Sequence, residues 1–382
     1  MLKPLLHRRE LGSLTTARLK QCVIKELALN IRMRSRLRIK FSFSETRVPI
    51  AQILVSAFTL TALTVSAATA SNRMEAIKVR GSLLCGVIQR VPGFTDIDTE
   101  GQVSGFEPDL CRAVAAAILG PDAGVTYVMT NDVQTFLTSD VPDVVARRLT
   151  VTMRRALTPG LVFSRVVFFD GAALLVPIDL QGEKPSNLSD LTICLQGQSE
   201  TDRSVTSYFR EKHLPVTVLR RTDIQSAADT FLNGDCGALA GDLSELAPIR
   251  ARHPESLALL PELLSREPLA LLTHAVDDQF SAVVDWTMNA LIAAEELGIT
   301  KNNVRILREH PNPEARRLLG FDGGNGAALG LRESWAADVI ATVGNYGEIY
   351  ARHLGDESTI NLPRGHNALW RDGGLLYPIP MR

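Results

Sequence analysis

Apolar and polar positions set up a rhythm of short strands and helices that occurs twice along the chain. Residues 83–88 (LLCGVI) are a short apolar run and predict a strand. Phe106 to Leu119 predicts a helix, with Glu107 and Pro108 in its first turn and Gly120-Pro121 as its stop. VTYVM at 125–129 and DVVA at 143–146 predict two more strands, and LVFSRVVFFDGAALLVP at 161–177 is a long extended run. The alternation then resumes with TICLQ (192–196), a helix near 202–212, VTVLRR (216–221), a helix near 223–233, GALAG (237–241) and a helix near 243–252. A second extended stretch, LSREPLALLTHA (264–275), leads into a long helix at about 276–297 that stops at Gly298. Residues 300–382 read as mixed and loop-rich, broken at Gly323-Gly324 and Gly373-Gly374.

Strands alternating with helices indicate an α/β chain with parallel-rich sheets. An apolar extended stretch separates the two runs, so two lobes are expected. The pattern alone fits a binding protein, a hydrolase or a receptor domain.

Composition adds a compartment. The chain has 382 residues, 45% of them apolar, and a net charge of −1, which argues against a general nucleic-acid binder. The charge is unevenly spread. Residues 1–70 carry 12 Lys/Arg and 3 Asp/Glu, leaving 29 basic and 39 acidic residues in the acidic remainder. Val48 to Ala70 has no charged residue, follows a basic stretch that includes Arg32, Arg34, Arg36, Arg38, Lys40 and Arg47, and ends in Ala68-Thr69-Ala70. That is the plan of a cleavable signal peptide over 1–70, directing export to the periplasm; the competing reading is a single membrane-spanning helix. Met33 as the true start would give a leader of more ordinary length.

Cys22 lies in the leader. Cys85, Cys111, Cys194 and Cys236 remain, an even count that in an exported chain suggests disulfides with three connectivities. Cys85–Cys111 and Cys194–Cys236 are favoured because each pair falls within one predicted lobe, and four buried free thiols are the alternative. Spacings of 26 and 42 residues with no C-x-x-C argue against a zinc site. No metal or cofactor is expected.

Several segments narrow the choice. CGVIQRVPGF (85–94), GFEPDLCRAVAAAILG (105–120), DLTICLQGQSETD (190–202), WTMNALIAAEELGIT (286–300), RRLLG (316–320), VGNYGEIY (343–350) and NALWRDGGLLYPIPMR (367–382) resemble the periplasmic solute-binding proteins of amino-acid ABC importers, the family 3 type. Within that family the chain looks most like the general L-amino-acid-binding subgroup. The resemblance implies a type II periplasmic binding protein fold with two hinge crossings, near Phe168–Ala172 and Ser265–Pro268. It divides the chain into 71–168 with 268–382 (lobe one and a C-terminal extension) and 169–267 (lobe two). It also implies an L-amino-acid ligand, an inner-membrane ABC permease as partner, and a monomer.

A free amino acid presents a carboxylate and an ammonium, so its site needs a guanidinium or backbone amides on one side and a carboxylate on the other. By resemblance, Arg155 grips the ligand carboxylate with help from Thr150, and Arg147 matches a subgroup arginine. Asp242 matches the aspartate that takes the ammonium; an N-cap for the following helix is its competing role. Ser199, in the loop QGQSET (196–201), offers a hydroxyl where the family usually shows S-G-T-T. Phe94 is expected beside the ligand's aliphatic part, with core packing as the alternative. Glu107 reads as structural, and Trp286, Trp335 and Trp370 as core or anchoring residues.

Three departures stand out: Gln198 at a glycine position, Glu200 near the carboxylate site, and Arg148, taken as its neighbour, where the subgroup usually has Asn. They point to a cationic or larger ligand, or to lost transport. The main expectation is a non-enzymatic binding protein. The alternatives are a cyclohexadienyl dehydratase-like enzyme on the same scaffold, for which Glu200 is the one oddly placed acid, and a sensor feeding a membrane receptor.

Overall fold

The computed structural model describes residues 73–382 apart from Asp140, Ser189 and 308–311. The leader over 1–70, the start at Met33 and Cys22 lie outside the described residues. No helix among the described residues is long and apolar enough to cross a membrane.

The first α/β run supplies β1 (Ser82–Val87), a small hairpin of β2 (Asp96–Ile97) and β3 (Val103–Ser104), β4 (Gly124–Met129), β5 (Val144–Val145) and β6 (Leu161–Asp170). The second supplies β7 (Ala172–Pro177), β8 (Leu191–Gln196), β9 (Val216–Arg221), β10 (Ala238–Asp242) and β11 (Leu257–Leu259). The chain then returns to the first lobe as β12 (Glu267–His274). Two five-stranded sheets result, ordered β4-β1-β5-β12-β6 and β11-β7-β10-β8-β9. The sheets are more mixed than expected. β1 lies parallel to β4 and β5, and β8 parallel to β9 and β10, but β12 runs antiparallel to β5 and β6, and β7 antiparallel to β10 and β11. The antiparallel pairs all involve strands next to the lobe crossings, because a chain that leaves a lobe must also come back.

The long extended run at 161–177 is thus two strands in two sheets, broken at Gly171. There the outgoing and returning segments touch. Ala172 N donates to Ser265 Oγ at 2.9 Å and Leu264 N to Ala172 O at 2.7 Å. A Cβ on Gly171 would sit 2.4 Å from Ser265 O, so only glycine allows this approach.

The packing follows from the pattern. Along β7, Ala173 and Leu175 enter one apolar cluster while Leu174 and Val176 enter another. Period-two alternation across a sheet covered on both faces explains why AALLVP is apolar throughout. Helix Phe106–Leu119 is buried at every position from 106 to 118 except Arg112. It lies between β1 on one side and helices Asp278–Glu296 and Trp335–Val343 on the other. Cys85–Cys111 ties this helix to β1, and Cys194–Cys236 ties β8 to the approach to β10.

Residues 300–382 are more helical than their glycines suggest, with helices Pro313–Leu318, Asn325–Leu329, Trp335–Val343 and Tyr346–His353. Their apolar residues, among them the fully buried Trp335, Tyr346 and Tyr350, complete the lobe-one core. The extension also secures the crossing. Asn367 Oδ1 accepts from Phe169 N at 2.7 Å, and Tyr346 Oη donates to Val167 O at 2.7 Å. Trp370, by contrast, is half exposed and anchors through Nε1 to Glu296.

Candidate functional site

Beyond β5 the chain runs beside the returning strand. Ala270 N donates to Leu149 O, Val151 N donates to Pro268 O, and Thr150 bridges to Leu269. This pinning fixes Arg147, Arg148 and Thr150 at the carboxyl end of β5, the usual ligand edge of an α/β sheet. Thr152 then caps the single turn Met153–Ala156, accepting from Arg155 N, and Arg155 Nη1 donates to Thr150 O at 2.9 Å. From the second lobe, β10 ends in Asp242, whose side chain makes no cap hydrogen bond to the helix that follows. It accepts instead from Thr201 Oγ1 at 3.0 Å. Capping, the competing role for Asp242, is therefore not what its carboxylate does.

These elements enclose a cavity of about 180 Å³ whose lining includes Arg147, Arg148, Thr150, Arg155, Asp170 and Asp242. It is smaller than the roughly 300–1,000 Å³ of pockets that hold drug-sized ligands. Three cations and two anions share it, but they are not equally engaged. Arg148 reaches across to the second lobe, donating from Nη1 to Ser244 Oγ at 2.6 Å and lying 3.4 Å from Glu245. Asp170, fully enclosed, accepts from Ser244 N and Oγ and from Gly171 N. Arg147 and Arg155 make no ion pair among the described residues; their hydrogen bonds go to the backbone carbonyls of Asn131 and Thr150. Arg147 Nε and Arg148 Nε are buried without any partner among the described residues.

The electrostatics follow from that crowding. Burial, and then the neighbouring Asp170 and Glu245, push the Asp242 carboxyl up to about 7. Burial raises Asp170 as well, against the pull of Ser244 and Arg148. Burial depresses Arg147, and the guanidiniums of Arg148 and Arg155 add to the depression. A cation beside Asp242 and an anion beside Arg147 would relieve these penalties.

Two expected contacts are not brought to the cavity. Ser199 is the N-cap of helix Glu200–Glu211, accepting from Asp202 N and donating to Gln196 O, so its hydroxyl is committed to the turn. Phe94 is 2% exposed, packs edge-on against Phe106 and Phe168, and lies under the Arg148 guanidinium, 5.8 Å from its ring centre. Its core-packing alternative is the one the structure supports. Glu200 is also misplaced by the sequence reading. It stands exposed on its helix, paired with Arg203, and Arg148's neighbours are Ser244, Glu245 and Phe94. Gln198 does adopt the left-handed backbone its glycine-like position implied, with φ of 60°. Glu107 is buried and accepts from Arg148 N and Thr95 Oγ1, in keeping with a structural role, and burial pushes it up to about 7 against those bonds.

Sequence reasoning missed Asp170, Thr201 and Ser244. Asp170 had a signal, being the one acid in the seventeen-residue extended run. Thr201 and Ser244 had none, since each acts only through a residue brought near by folding.

No protein-family model matches the chain. Curated relatives do. The chain is 37% identical over 341 residues to the general L-amino acid-binding periplasmic protein AapJ of Rhizobium johnstonii, covering 87% of this chain and 99% of the relative. It is 37% identical over 328 residues to the glutamate/glutamine/aspartate/asparagine-binding protein BztA of Rhodobacter capsulatus, covering 85% and 97%. Among solved structures, an ABC-transporter periplasmic binding protein from Brucella ovis with glutathione bound superposes with a TM-score of 0.72 at 35% identity, covering 82% of this chain and all of that one.

Proposed function

Because the chain belongs to the periplasmic binding proteins of amino-acid ABC transporters, we propose that it closes its two lobes on a free L-amino acid and presents it to a membrane permease. Arg155, steadied by the Thr150 carbonyl, takes the α-carboxylate. Asp242, steadied by Thr201, takes the α-ammonium. The observation that carries this reading is a cavity lined both by the Arg155 guanidinium of one lobe, which has no ion pair among the described residues, and by the Asp242 carboxylate of the other, whose hydrogen bond comes from Thr201.

The energetics are modest. Micromolar affinity requires about 8 kcal/mol net. Two charge-assisted contacts at roughly 1.5–3 kcal/mol each, with apolar burial between the lobes, reach that range. No bond of the ligand is broken. Against an enzyme of the dehydratase type stands the position of Glu200, outside the cavity and paired with Arg203.

Delivery requires export. The leader over 1–70 would be removed at Ala70, and N-terminal sequencing of periplasmic material should begin at Ser71. Retention of the leader would contradict that part of the reading. Calorimetric titration of the purified protein with a panel of L-amino acids tests the binding itself. Arg155→Ala and Asp242→Asn should each weaken every bound amino acid about tenfold or more. Parent-like binding by both variants would overturn the site.

A further inference from the structure

The charges around the cavity specify more than a zwitterion. Resting on the reading above, we infer that the ligand is an acidic α-amino acid, with Arg147 receiving the side-chain carboxylate. A neutral amino acid offers one carboxylate and one ammonium, which Arg155 and Asp242 absorb. Arg147 would then remain a buried cation with no ion pair among the described residues.

Leaving it so is costly. Arg147 is 9% exposed, and among the described residues its Nε has no partner and its one hydrogen bond, to Asn131 O, is long at 3.3 Å. Its guanidinium lies 5.7 Å from the centre of the Phe136 ring, which fixes its direction but supplies no charge. Glu107 and Asp132 act on it only through space, and Glu107 is itself hydrogen-bonded by Arg148 N and Thr95. Arg148 cannot play the same part, because Ser244 and Glu245 already hold it.

A second carboxylate on the ligand restores the balance: two free guanidiniums face two carboxylates, and Asp242 faces the ammonium. This differs from the expectation of a cationic or larger ligand drawn from Gln198, Glu200 and Arg148, of which Glu200 stands outside the cavity. The cavity, at about 180 Å³, suits a single small amino acid. A γ-glutamyl peptide such as glutathione carries the same three charged groups on a longer frame, so the test must separate the two.

The purified protein is titrated calorimetrically with L-glutamate, L-aspartate, L-glutamine, L-asparagine, L-leucine, L-arginine and glutathione. Glutamate or aspartate should bind about tenfold or more tightly than its own amide. R147Q should erase that preference while R147K keeps most of it. R155A should weaken the acid and the amide alike. Melting curves of R147Q establish that it folds, and R147K keeps the test alive should R147Q not fold. Equal binding of acid and amide, or preference for arginine, overturns the ligand class while leaving amino-acid binding standing. Binding of glutathione without glutamate overturns it in favour of the longer frame. Binding of no amino acid overturns both readings together.

Discussion

Two carboxylates of this molecule have opposite fates. Asp109, in helix Phe106–Leu119, is surrounded by Arg112, Arg352 and His353, with contacts of 2.8, 2.5 and 2.6 Å. Burial alone would raise it, but His353, Arg112 and Arg352 together hold it well below the usual carboxylate range. Asp242 is also mostly enclosed, but its direct partner is the hydroxyl of Thr201, and burial with two neighbouring acids drives it up to about 7. The first carboxylate is satisfied by the fold and joins helix Tyr346–His353 to the lobe-one core. The second is left in deficit on one side of a cavity whose other side holds guanidiniums in deficit. A charge that the fold completes is architecture. A pair of opposite charges that it keeps apart across a cavity is what the proposed zwitterion site would use.

The largest effect should come from breaking the satisfied cluster. Asp109→Asn strands Arg112 and Arg352, which are about a third exposed and so partly rescued by water. It should cost about 2–3 kcal/mol of stability and lower the melting temperature by several degrees, while the folded fraction binds as before. Because the Asp109 pKa is depressed on folding, its stabilisation is present above the unfolded value near 4 and fades as pH falls below it. The variant should therefore flatten the acid limb of a stability–pH curve.

Asp242→Asn should do the reverse. Its charge is disfavoured in the folded protein, so the melting temperature should hold or rise at neutral pH, while affinity falls about tenfold or more. A clear loss of stability would erase the contrast.

Proton linkage gives a smaller, graded effect. The free Asp242 carboxyl titrates near 7, facing Asp170, Glu245, Thr201 and Arg148. A ligand ammonium favours its ionised form. Affinity should thus rise with pH up to about 7–8 and then level off, falling by up to about tenfold per unit below that. Calorimetry in buffers of different ionisation enthalpy should register proton release at pH 6, and Asp242→Asn should remove most of it.

Smallest of all, Glu200→Gln should leave affinity within about twofold, since this exposed acid pairs with Arg203 outside the cavity. A large change would return it to the site.

Much of the fold was legible because burial imposes period. Helix Phe106–Leu119 and strand Val216–Arg221 lie where the residue pattern puts them, and the other elements named for the two runs fall within a few residues, while β2, β3, helix Val133–Thr138 and β11 were too short to be foreseen. The single extended run of 161–177 did not reveal that its halves belong to different sheets. That is a tertiary fact, set by the approach of Gly171 to Ser265. The helices of 300–382 were hidden by their shortness and by the glycines between them. At the site, Arg147, Thr150, Arg155 and Asp242 were named from the sequence and converge on one cavity. Ser199 and Phe94 were named for the same role and are committed elsewhere, one to a helix start and one to an aromatic cluster. Whether a polar group is already spent on its own fold is a question of distance, and the sequence holds no distances.

A crystal structure of the protein with its tightest-binding amino acid would address the central claim most directly. The account places the ligand ammonium about 3 Å from an Asp242 carboxylate oxygen, with the α-carboxylate on the Arg155 guanidinium. A ligand seated outside this cavity, or reversed so that its ammonium lies away from Asp242, would contradict it.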